Sequence, residues 1–162
     1  MTIVSSKQDP EALTFVLVAE LAAPPTRVWQ VWADPRQLER WWGPPTWPAT
    51  FEQHDVVAGG GSRYYMTGPD GEKARGWWRF VSLDEPRYLE FEDGFSDESG
   101  LPNPQMPTIR GRVELEEIAA GTRMTVTSQF ATVEQMEQLV QMGMVEGMTL
   151  AMGQIDDVLA AA

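Results

Sequence analysis

His54 is the only histidine in this chain of 162 residues, and there is no cysteine. That pair of facts bounds the chemistry. A general base needs a partner group within hydrogen-bond reach, and no Ser, Lys or Cys arrangement marks one for His54. The segment 51–57 alternates Phe51, Gln53 and Asp55 against Glu52, His54 and Val56. A zinc site needs three or four N, S or O ligands, which one histidine without cysteine does not supply. Gly59–Gly61 suggests a phosphate cradle, but the Lys-Ser/Thr pair is missing and no helix is expected to follow. The triplet reads as a turn or bulge between strands. Asp93, Asp97 and Glu98 in "EDGFSDES" form a loose calcium-like cluster without the loop spacing or the twelfth-position Glu. They read as a solvated acidic loop. No catalytic residue, metal or cofactor is expected.

The apolar residues are more informative. "LERWWGPPTWP", residues 38–48, holds three tryptophans and three prolines. Trp41 reads as corner packing. Trp42 and Trp47 read as the rim of a cavity, because a buried indole N–H needs a partner. Five of the nine methionines fall between 132 and 160, where Met136, Val140, Met144, Met148, Met152 and Ile155 follow one another mostly at i+4. Methionine suits either a core or an adaptable ligand wall. Gly143, Gly147 and Ala151 lie beside that stripe. Each helical glycine costs about 1 kcal/mol relative to alanine, which either close helix–sheet approach or space for a ligand would offset. Arg63, Arg75, Arg79, Arg110 and Arg112 sit on strands, where pairing with Glu across the sheet is expected. Tyr65, Arg79 or a Trp N–H could orient a guest.

These side chains need elements to hold them. Residues 1–10 read as a flexible polar tail and 11–162 as a single domain. "LTFVLVAELAAP" reads as a strand. Pro24-Pro25 opens a short helix, and Asp34-Pro35-Arg36-Gln37 opens another, with Asp34 as N-cap and Gln37 reaching back as in a capping box. Gly43 would close it in the left-handed conformation before Pro44. From Phe51 to Phe130 the period is two, giving roughly six antiparallel strands with a loop over 94–107. Thr132 and Gln135 cap one long helix to about 160. The expectation is therefore an α+β fold: a curved antiparallel sheet of about seven strands around a long C-terminal helix, with two short helices after the first strand.

Twelve basic residues against 24 acidic ones give a net charge of −12. Such a surface repels phosphate backbones and anionic lipid, so nucleic acid and membrane surfaces are disfavoured as partners. No apolar run is long enough to insert in a membrane, and no signal peptide is evident at the start. The absence of cysteine suits a reducing compartment. A cytoplasmic location is expected.

In this order, "VWQVWADPRQLERWWGP", "VVAGGGSRYYMTGPDG", "GWWRFVSLDEPRYLEFED" and "GMVEGMTLAMGQIDDVL" resemble the landmarks of the START-like (SRPBCC) superfamily. The closest likeness is to the branch named after activators of the heat-shock-protein-90 ATPase. The resemblance covers about residues 12–160. It implies the helix-grip fold, with a hydrophobic cavity between sheet and C-terminal helix. It implies binding of a lipid-like, aromatic or polyketide-like small molecule. The expected lining is Trp42, Trp47, Phe51, Tyr65, Trp78, Phe80, Phe91, Val113, Met136, Val140, Met144 and Met148. The family often carries tryptophan where this chain has Met148, so a flexible thioether changes the cavity's shape. The alternatives are a cyclase-, aromatase- or hydrolase-like enzyme using the same cavity, or a chaperone-associated interaction protein in a stress response, the role the branch name suggests. A chaperone and a second copy of the chain join the apolar small molecule as candidate partners.

Overall fold

The computed structural model describes residues 2–161. Eight strands form one antiparallel sheet: β1 (Thr2–Asp9), β2 (Thr14–Leu21), β3 (Ala49–His54), β4 (Gly61–Thr67), β5 (Lys73–Asp84), β6 (Tyr88–Phe95), β7 (Ile109–Ile118) and β8 (Gly121–Gln129). Their spatial order is β1-β2-β8-β7-β6-β5-β4-β3. Every step after β3 is thus a meander between sequence neighbours, and β2 joins it beside β8. Two short helices, α1 (Pro25–Ala33) and α2 (Pro35–Leu38), link β2 to β3. The C-terminal helix follows β8 in three consecutive segments, α3 (Val133–Gln141), α4 (Met144–Met152) and α5 (Ile155–Ala160).

The alternating strands bury one face. Phe15, Leu17, Ala19 and Leu21 on β2 meet Val113 and Leu115 on β7 and Met124 and Val126 on β8 in a single core. α1 adds Val28, Trp29, Val31 and Trp32 to it. Asp34 caps α2 through the Arg36 N–H at 3.0 Å. Gln37 reaches the Asp34 carboxylate, at 2.9 Å, rather than its backbone N–H. Thr132 caps α3 by accepting from the Gln135 N–H at 3.1 Å.

The structure corrects several expectations. Residues 1–10 are not a loose tail: 2–9 form the edge strand β1, antiparallel to β2. Met1 lies outside the described residues. The strand count is eight rather than about seven for this reason. β1 is polar because an edge strand without a buried face has no apolar period to display. The C-terminal helix is interrupted at Gly143, whose φ of 91° is left-handed, and again at Gly153-Gln154. Gln154 holds the second break in place by donating to the Gly43 carbonyl at 2.7 Å. Gly43 itself is not left-handed. It is glycine because a Cβ there would collide with the Trp47 carbonyl oxygen.

Candidate functional site

A cavity of about 550 Å³, partly open to solvent, lies between the inner face of the sheet and the C-terminal helix. Its sheet side carries Tyr64, Phe91, Asp93, Gly111, Val126 and Ser128, and its helix side carries Leu139, Gly143, Met144, Gly147, Met148, Ala151 and Met152. Trp32, Trp41, Trp42, Pro44 and Trp47 close one end. Exposed Met142 and Ala74 mark the mouth.

The tryptophan corner serves both purposes. Trp41 is fully buried and donates its N–H to the Val31 carbonyl at 2.8 Å, so it locks the corner to α1. Trp42 is half-buried against Trp78, ring centroids 4.7 Å apart and edge to face. Trp32 stacks edge to face on Trp41 at 4.7 Å. Trp78 lies parallel to Phe91 at 4.3 Å. These contacts make the sheet-side wall rigid. The helix side is soft: three methionines and Gly147, where an added Cβ would meet nothing within 4 Å. Gly147 therefore marks open space, and of the two reasons weighed for a glycine there, close helix–sheet approach is not the one the structure shows.

One polar pair faces this cavity. The Tyr64 hydroxyl donates to the Asp93 carboxylate at 3.0 Å. Tyr64 reaches from β4 across β5 to β6 because Gly76, its register partner on β5, has no side chain. A Cβ at Gly76 would collide with the phenol ring. Burial pushes the Asp93 carboxyl up to about 7, opposed by the Tyr64 hydroxyl and the nearby Trp78 indole. Burial, then the Asp93 charge, raises the Tyr64 phenol well above its ordinary value, so it stays a donor. The indole N–H groups of Trp32, Trp42 and Trp78 are buried without an aligned hydrogen-bond partner in the protein.

Of the twelve expected lining residues, Trp42, Trp47, Phe91, Met144 and Met148 line the cavity. Phe51, Trp78, Phe80, Val113 and Met136 are buried core behind or beyond it, and Val140 packs on that core. Tyr65 points away: its ring lies 4.3 Å from the Lys73 ammonium on the outer face. Strand alternation gives the inward place to Tyr64 instead. Asp93 was missed as part of an acidic loop. Yet it continues the period of Leu89 and Phe91 along β6, and a carboxylate at an inward phase was the available signal. Asp97 does belong to the loop, where it accepts from the Ser99 and Leu101 N–H groups at 2.9 and 3.1 Å.

His54 is held by both ring nitrogens. Nε2 lies 2.8 Å from the Trp32 carbonyl and Nδ1 lies 2.6 Å from the Ser62 hydroxyl. The carbonyl can only accept, so Nε2 carries the proton and Nδ1 accepts from Ser62. Burial lowers the imidazole's pKa. A register shift between Phe51 and Gln53 breaks the alternation, which brings Phe51 and His54 together, 5.5 Å between ring centroids. Among the arginines, Arg75 pairs with Glu52 at 3.5 Å and Arg110 with Glu90 at 2.8 Å. None of the five lines the cavity. Among the described residues no group of three or more His, Asp or Glu is placed to hold a metal, and no helix is long and apolar enough to cross a membrane.

An open antiparallel sheet with a long C-terminal helix packed on it defines a helix-grip protein of the START-like class. The family described as "Activator of Hsp90 ATPase homolog 1-like protein" matches residues 22–160, and the chain belongs to it. A protein from Arthrobacter aurescens, solved by NMR, is 55% identical, with 99% of this chain and 94% of that one covered and a TM-score of 0.94. A crystal structure from Mycobacterium smegmatis is 45% identical, covering 99% and 98%, with a TM-score of 0.90. An AHSA1 protein from Silicibacter pomeroyi shares the fold at 19% identity, with 91% and 98% covered and a TM-score of 0.73. No curated protein matches the chain.

Proposed function

We propose that the chain binds a hydrophobic small molecule in the cavity between sheet and C-terminal helix. The family fold generally binds hydrophobic ligands. The observation that carries the reading for this chain is the cavity of about 550 Å³, a volume within the range of ligand pockets. A cavity of about 150 Å³ holds one benzene, so this one has room for roughly three rings. A guest burying about 200 Å² of carbon surface gains about 5 kcal/mol before the cost of association.

Titration with the uncharged fluorophore N-phenyl-1-naphthylamine, followed by tryptophan quenching, tests this. Saturable quenching is expected, because six of the residues in and around the cavity are Trp or Tyr: Trp32, Trp41, Trp42, Trp47, Tyr64 and Trp78. Gly147→Leu places a side chain in the open space and should abolish uptake while leaving the fold intact. If the wild-type protein takes up no probe, the reading fails.

A second reading, an enzyme of cyclase, aromatase or hydrolase type, is favoured by one observation. The Tyr64–Asp93 pair places an acid with a pKa of about 7 on the cavity wall, in the range where a general acid or base works. Turnover of a bound ring compound that Asp93→Asn abolishes, with binding retained, would select it. The chaperone reading has only the family description behind it.

A further inference from the structure

We infer that the cavity takes a hydrophobic cation: a compact organic ammonium with an aromatic or alkyl body, its charge seated between Asp93 and the surrounding rings. This rests on the binding role proposed above and adds the guest's charge. Among the described residues Asp93 is the one charged side chain that lines the cavity; no Lys, Arg or His joins it there. It is half-buried, so part of its surface stays open. Its neighbours give it hydrogen bonds but no counter-ion. The Tyr64 hydroxyl donates to Oδ1 at 3.0 Å, and the Trp78 indole also favours the ionised carboxyl. Both donors are neutral, and a carboxylate has room for about four. The flanking register partners, Trp78 on β5 and Ile109 on β7, bring no charge. The helix side offers only methionine, glycine, leucine and alanine, and Tyr64 is the other titratable group on the wall.

The rings complete the site. Trp42, Trp47, Tyr64, Phe91 and Phe95 line the same space, and the face of an aromatic ring attracts a cation within about 6 Å of its centroid. Trp42 stands edge to face on Tyr64, 6.2 Å between centroids, so the ring bonded to the carboxyl and its neighbour form a corner. Folding has already removed water from Asp93, which pushes its carboxyl up to about 7. A cation beside it favours the ionised form and reverses that penalty. A carboxylate guest would meet a like charge with nothing on the wall to balance it. A neutral guest would use only the apolar surface. The net charge of −12 draws cations toward the molecule and repels anions.

The test is a calorimetric titration of the full chain with three naphthalenes of similar size: 2-ethylnaphthalene, 2-naphthylmethylammonium and 2-naphthoate. At pH 8 the ammonium should bind about tenfold tighter than the naphthoate, the worth of one hydrogen bond to a charged group. Its affinity should rise about tenfold from pH 6 to pH 8, as Asp93 gives up its proton. In Asp93→Asn the preference over naphthoate should shrink toward unity and the rise with pH should vanish. Gly147→Leu, which fills the cavity, should abolish uptake of the ammonium; uptake that persists there puts the cation elsewhere on the acidic surface and overturns the inference. An ammonium that binds no tighter than the naphthoate, or equally at pH 6 and pH 8, overturns it too, and continued binding of 2-ethylnaphthalene then leaves the apolar cavity standing. If none of the three binds, the binding role and the charged subsite fall together.

Discussion

Asp93→Asn should make this protein more stable at pH 8, and the gain should fade on acidification. Burial raises the folded-state pKa from 3.8 to about 7. The unfolded chain therefore releases this proton from about pH 4 upward, while the native protein keeps it until about pH 7. The native state binds the extra proton through that window, so stability falls as pH rises across it and levels off above. About three units at 1.36 kcal/mol each set a ceiling of about 4 kcal/mol at pH 8, against about 1.7 kcal/mol at pH 5. No charged side chain contributes to the shift; its cause is burial, opposed by Tyr64 and Trp78. Asparagine keeps an acceptor for the Tyr64 hydroxyl and has no proton to lose. Urea unfolding of both proteins at pH 5 and pH 8 isolates the effect, since all other groups cancel in the comparison. The variant's advantage should be about 2.5 kcal/mol larger at pH 8 than at pH 5. An advantage independent of pH, or a variant less stable than wild type at pH 8, would refute the reasoning.

The other expectations are simpler to state. Gly76→Ala drives a methyl group into the Tyr64 ring and should cost about 1–3 kcal/mol, read as a lower thermal midpoint. Gly147→Ala adds a methyl group to open space within α4 and should stabilise by up to about 1 kcal/mol. Gly143→Ala, at a φ of 91°, should destabilise by about 1 kcal/mol; the same two melts show whether the signs oppose. Trp41→Phe removes a hydrogen bond of 2.8 Å from a fully buried site and should cost about 2–3 kcal/mol, seen in urea midpoints.

The fold was legible in the sequence wherever one face of an element is buried. β7 and β8 alternate and pair in register along their length, and the caps at Asp34 and Thr132 stand where their residue types placed them. β1 was not legible, because an edge strand with exposed Val4 carries no period. The site was half legible. Composition identified aromatic and methionine walls, but phase decided which members reach the cavity. Tyr64 and Tyr65 are adjacent and opposite, and only the pairing of β4 with β5 shows which faces inward. Gly76 and Gly111 gave no local reason for being glycine. Their cause lies on neighbouring strands, in the rings of Tyr64 and Phe91 that cross over them.

The two walls differ in kind, and that difference bears on selectivity. On the sheet side and at the tryptophan corner, rings fixed against one another at 4.3–4.7 Å make a wall of set shape. On the helix side, Met144, Met148 and Met152 around Gly147 can change rotamers at little cost, and the breaks at Gly143 and Gly153 leave α4 short. A guest seated against those rings would thus be tolerated in several shapes toward the helix. Binding affinities for ring compounds, read by tryptophan quenching, should therefore vary little with bulk added on the side toward the methionines, and fall steeply with bulk added toward the fixed rings.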